Sequence, residues 1–236
     1  LLLSSIELGL PPTARFGAAL AAGALDASGA FTLYVGAPGA ENDAGAVYAL
    51  RLERPSGGGA ARVVTTAALA SPYPLAGGEQ FGGSLALVAP DWDGNGAPQL
   101  LVGAPGTNEG SLGSGAVFTL FLDGGGDGAG YGRHQKVSSL EGGLAAALNG
   151  TMPPTAGAAF GRAVASLGSV NADEVGDVAV GAKHGAGGGG DGALYLLFMS
   201  ASGAQPPLAP PQPSSPPVPP SPPPPSPPSP PPPSPD

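Results

Sequence analysis

The chain has 236 residues, of which 42 are Gly and 31 Pro, and it carries a formal net charge of −9 with no Cys. An acidic balance of this kind disfavours nucleic acid and anionic membrane surfaces as partners and favours cations. The absence of cysteine excludes disulfides and thiolate metal sites, and no apolar run of about 20 residues is present that could span a bilayer as a helix.

Glycine and proline at these levels usually mark low-complexity sequence, but here their positions separate two regions. Twenty prolines lie between Pro206 and Pro235, in SPP and PPPP units whose only charge is Asp236. Residues 204–236 therefore read as a disordered polyproline II tail, a stalk or linker. Residues 1–203, rich in Ala, Gly, Val and Leu, are long enough to bury a β core.

Leu1 to Gly9 (LLLSSIELG) has the look of a strand without a neighbour. The first repeat, residues 16–70, opens on Phe16-Gly17 and predicts strands over 18–25, 31–37, 46–52 and 62–70. Residues 81–142 repeat the pattern from Phe81-Gly82, with strands over 83–89, 99–104, 116–122 and 136–142. Residues 160–199 repeat it again from Phe160-Gly161, but the tail begins where a fourth strand is due. Short apolar, β-branched bursts closed by Gly, Pro, Asn or Asp predict strands, and none continues at helical spacing. A repeat of this length made of short strands and glycine turns predicts one four-stranded unit used three times. Pairing of residues 1–9 with the third unit would complete twelve strands. Propellers carry 4 to 8 such units, so the chain, which also begins without Met, is expected to be a piece of a larger ring or to close with another copy.

The residues that carry a resemblance are the Phe-Gly pairs, DWDGNGAPQLLVGAP from Asp91 to Pro105, and GAVFTL from Gly115. They resemble the FG-GAP repeats of integrin α-subunit β-propellers over about Leu1 to Met199. The resemblance implies an all-β, extracellular propeller holding Ca²⁺ in hairpin loops and serving cell adhesion or ligand recognition. Similar repeats also occur in glycosylphosphatidylinositol-specific phospholipase D, so an accessory propeller of a secreted hydrolase is the alternative. Partners under the first reading are an extracellular protein or glycan, further blades, or a second copy. More blades upstream would support the adhesion reading and a metal-dependent hydrolase domain the alternative. An intracellular scaffold is a third possibility, which hydroxyproline analysis of the tail would test.

Calcium takes six to eight oxygens, which a tight loop supplies from alternate residues. In the second repeat Asp91, Asp93 and Asn95 offer side-chain oxygens, Ala97 its carbonyl, and Gln99 stands where the family prefers Asp. Gly96 permits the positive-φ turn between them. An EF-hand would need an acidic residue at position twelve, where Val102 stands, and flanking helices. A metal-free Asx-Gly turn would use the same residue types. The third repeat offers Ser169, Asn171, Asp173, the Val175 carbonyl and Asp177, with Glu174 strained in place of the turn glycine. The first offers Ala24, Asp26, Ser28, Ala30 and Thr32, with one carboxylate, and is expected to bind nothing.

The glycine-rich run Gly185–Gly190 lacks the Lys-Ser/Thr of a phosphate loop and reads as a flexible hairpin. His134 and His184 read as solvated loop residues. No nucleophile elbow or closely spaced His pair is present, so no catalytic signature emerges. Asn149-Gly150-Thr151 is an N-glycosylation sequon, and the tail resembles hydroxyproline-rich cell-wall glycoproteins. Both fit an extracellular, surface or cell-wall location.

Overall fold

A computed structural model describes residues 3–4, 6–55, 58–88, 92–125, 128–148, 154–185 and 191–199. The predicted sites Asp91 and Asn149 and the whole 204–236 tail lie outside the described residues. Within them the chain is mostly β, in three antiparallel sheets of sequential strands. The first sheet runs β1 (Ala19–Ala22), β2 (Phe31–Ala37), β3 (Ala46–Glu53), β4 (Arg62–Leu69). The second runs β5 (Ser84–Val88), β6 (Gln99–Ala104), β7 (Ala116–Leu122), β8 (Tyr131–Ser138). The third has only β9 (Ala163–Gly168), β10 (Asp177–Ala182) and β11 (Ala193–Leu197). Three four-stranded units were expected. Among the described residues two sheets have four strands and one has three.

The segment expected to supply the missing strand does something else. Ile6 to Gly9 forms a turn closed by the Gly9 amide on the Ile6 carbonyl at 3.0 Å, and Leu3 packs on the first sheet beside Val35 and Leu50. The described residues of this segment pair with no strand, and Leu3 lies against a sheet face instead. Residues 132–135, ahead of the strand expected over 136–142, are themselves part of β8.

The sheets stack face to face. Tyr34, Val47 and Ala49 of the first meet Leu100, Val102, Phe118 and Leu120 of the second. The opposite face of the second, through Leu101, Val117 and Phe121, meets Val178, Val180, Tyr195 and Leu197 of the third. Because β6 and β7 are covered on both faces, every one of their residues is buried, and a doubly covered strand reads as an unbroken apolar run.

The repeated Phe-Gly pair makes the seam between sheets. Phe81 forms a parallel bridge with Gly45, and Phe160 does the same with Gly115. Their amides donate to the carbonyls of Ala44 and Ser114, both at 2.9 Å. Each ring sits edge-on to an aromatic of its own sheet, Phe81 on Phe118 at 5.6 Å and Phe160 on Tyr195 at 5.1 Å. The Gly of each Val-Gly-Ala-Pro strand leaves room for this. A Cβ at Gly36 would lie 2.1 Å from the Gly82 carbonyl oxygen, and one at Gly103 would lie 2.1 Å from that of Gly161.

Candidate metal-binding loops

Each candidate loop is the connection from the first to the second strand of its sheet. In the second sheet this is the β5–β6 connection, and the structure brings Asp93, Asn95, Ala97 and Gln99 together in it. Gly94 and Gly96 take positive φ, 73° and 83°, as the turn requires. The Asn95 Oδ1 accepts the Ala97 amide at 2.7 Å, and its Nδ2 donates to the Leu122 carbonyl at 2.8 Å. Gln99 is fully buried. Its Oε1 accepts the Trp92 amide at 3.0 Å and its Nε2 donates to the Ala97 carbonyl at 3.3 Å, so the side chain latches the loop shut. Asp93 pairs with Arg133 at 3.6 Å, and that guanidinium lies 3.8 Å from the Phe121 ring centroid.

The third sheet builds the same loop between β9 and β10 from different residues. Glu174 adopts φ 65° and Ala172 φ 63°, the left-handed values that Gly96 and Gly94 take in the second loop. The strain expected at Glu174 is therefore present, with Ala172 adding to it. Ser169 Oγ lies 3.4 Å from Asn171 Oδ1 and 3.3 Å from Asp173 Oδ1. Both are hydrogen bonds of the Ser169 hydroxyl, and they bring three side-chain oxygens together in the loop, fewer than the six to eight that calcium takes. The Val175 amide, donating to Asp173 at 2.9 Å, leads the groups that hold that carboxyl below its usual pKa, with Asn171 and Ser169 adding to it.

Asp177 is 1 % exposed and accepts two amides, Val170 at 2.8 Å through Oδ2 and Met199 at 3.0 Å through Oδ1. It is the counterpart of Gln99, holding the loop by the same bond and tying it to the chain just after β11. This latching role was not read from the sequence, where position nine figured only as a ligand. The recurrence of a carbonyl-bearing side chain opposite the loop's second amide was the available signal.

In the first loop Asp26 Oδ1 accepts the Ser28 amide at 2.8 Å, the Ser28 hydroxyl at 2.6 Å and the Ala30 amide at 3.1 Å. Its other oxygen pairs with Arg51 of β3. Ser28 first and Arg51 second hold the Asp26 carboxyl well below the usual carboxylate range. Arg51 stands where Phe121 stands in the second sheet, so this loop has a cation tethered to it by a side chain. Ala24 and Thr32 line a cleft of about 510 Å³ between the first and second sheets, with Tyr34, Arg51, Ala97 and Leu122. Tyr34 crosses that cleft, its hydroxyl donating to the Gly128 carbonyl at 3.0 Å.

The residues fit an oxygen-ligated cation to different degrees. The third loop gathers side-chain oxygens, the second offers Asp93, Asn95, Gln99 and the Ala97 carbonyl, and the first already holds a guanidinium. Among the described residues no three His, Cys, Asp or Glu side chains group so as to hold a metal ion. The histidines meet the expectation in part: His134 is exposed but on β8 rather than in a loop, and His184 lies in the loop after β10 but is half-buried, its Nδ1 making no hydrogen bond. No helix of the described residues is long and apolar enough to cross a membrane. No protein-family model matches the chain, and no curated protein matches it.

Proposed function

We propose that this chain is a calcium-binding recognition module of the β-propeller kind, its three sheets acting as FG-GAP blades of a larger ring and serving adhesion outside the cell. The grouping of the Ser169, Asn171 and Asp173 side-chain oxygens, joined by hydrogen bonds of 3.3–3.4 Å, supports the calcium part of this reading. The repeated Phe-Gly seam, which stacks successive sheets by one rule, supports the blade part. The cleft between the first two sheets gives a ligand a place to enter, with a protein or glycan surface as the partner class.

Calcium in such loops is expected to bind at about 0.1 to 1 mM, as in other extracellular modules. At about ten times the dissociation constant each site adds roughly 1.4 kcal/mol, a rise of about 3 to 5 °C in melting temperature for a domain of this size. Thermal melts in excess calcium and in chelator read this directly, and equal midpoints overturn it. Asp173→Ala is expected to reduce the calcium shift, while Asp26→Ala leaves it unchanged because Arg51 already serves that loop.

A further inference from the structure

The third sheet exposes a face that its two predecessors bury. Val47 and Val117, in register on the third strands of the first two sheets, are 0 % and 2 % exposed, whereas their counterpart Leu194 is 67 % exposed. Two residues on, Ala49 and Thr119 are buried, and their counterpart Leu196 is 36 % exposed. Gly181 continues the series. A Cβ at Gly36 or Gly103 would strike the Phe-Gly carbonyl of the following sheet at 2.1 Å, but at Gly181 it would meet only the Ala163 Cβ at 3.4 Å, an ordinary contact. Among the described residues the receptor for a Phe-Gly turn is therefore built and unused.

Near the N-terminal end stands a Phe-Gly turn that docks on no other sheet among the described residues. Arg15 takes φ 54°, matching Gln80 at 59° and Ala159 at 52°, and Gly17 takes φ 90°, matching Gly82 and Gly161, both at 86°. The turn is formed in the same shape all three times. Yet a Cβ at Gly82 would lie 2.6 Å from the Ala46 carbonyl oxygen and one at Gly161 2.5 Å from that of Ala116, while one at Gly17 would have nothing within 4 Å. Phe16 packs on Tyr48 at 6.0 Å, as Phe81 packs on Phe118 and Phe160 on Tyr195, but it is only half-buried.

We infer that copies of this chain associate head to tail, the Arg15-Phe16-Gly17 turn of one copy seating on the Gly181, Leu194 and Leu196 face of the next. The contact repeats the turn shape and position of a seam the chain already makes twice internally, and it requires Leu3, which covers Val35 and Leu50 on the donor sheet, to move aside. A heterologous contact of this kind closes into a ring where the rotation permits and otherwise extends. Two copies, each with three sheets, would place six sheets in a ring, within the 4 to 8 that propellers carry. The inference rests on the seam geometry and not on calcium.

Sedimentation velocity of the 236-residue chain in chelator, over about a thousandfold range of concentration, tests it. The wild-type chain is expected to pass from monomer to dimer or longer species. Gly181→Ala places its Cβ where only the docked carbonyl would object, and it is expected to weaken association by more than about tenfold with an unchanged melting temperature in dilute solution. Leu194→Asp is expected to do the same through the apolar contact. A chain that stays monomeric throughout, or association that neither variant alters, overturns the inference. Running it in chelator separates its failure from that of the calcium reading.

Discussion

Asp26 and Asp173 are both held in their ionised form by donors that exist only in the folded chain, Ser28 and Arg51 for the first and the Val175 amide, Asn171 and Ser169 for the second. Both folded pKa values lie below the unfolded one, near 3.9. The unfolded state therefore binds protons first as pH falls, and the stability these groups supply is complete above about pH 5 and declines below about pH 4. Melting temperatures measured from neutral to strongly acidic pH are expected to show that decline, and Asp26→Asn to remove part of it. At this scale the sequence was informative where a backbone conformation was at stake. Gly96 and Glu174 take the positive φ that their place in the repeat demanded. It was silent on Arg51, because that side chain reaches Asp26 from a strand 25 residues away and only pairing of β2 with β3 brings the two together.

Among the elements, β2, β6 and β7 have the bounds that their apolar runs between glycines predict. β8 does not. It begins at Tyr131 rather than at Lys136, since its register is set by backbone pairing with β7 and not by its own hydropathy. Its charged residues lie over aromatic neighbours: Arg133 covers Phe121, and the Lys136 ammonium sits 5.1 Å from the Tyr73 ring while pairing with Glu109. A long cationic side chain over a ring buries apolar surface while keeping its charge satisfied, which no hydropathy pattern reports. The described residues of 1–9 err in the opposite sense, with a strand-like composition but a turn at Ile6–Gly9 and no pairing to a sheet. The β2 and β6 glycines give the sharpest test at this level. Gly103→Ala would bring a Cβ within 2.1 Å of the Gly161 carbonyl and 2.2 Å of Ser84 Oγ, and should cost about 1 to 3 kcal/mol. Denaturant midpoints compared with those of Gly181→Ala check this, since the same substitution one sheet later is expected to cost almost nothing.

Across the whole molecule, burial peaks in the middle sheet and falls off in the third. β6 and β7 are covered on both faces, while β9 and β11 alternate between covered and exposed residues. Local opening follows such differences in burial, so the amides of β9 and β11 are expected to exchange with solvent faster than those of β6 and β7. Hydrogen exchange on the monomer measures the contrast, and protection spread evenly over all three sheets would contradict it. The seam has a further consequence for how such a chain can change over generations. Since each sheet receives the next through one glycine, one Phe-Gly turn and one register, duplicating or deleting a complete unit leaves every remaining junction chemically intact. Gain or loss of part of a unit breaks a junction and strands a buried face. Copy number in proteins built this way is therefore free to vary in whole steps, while the interior of each step is fixed residue by residue.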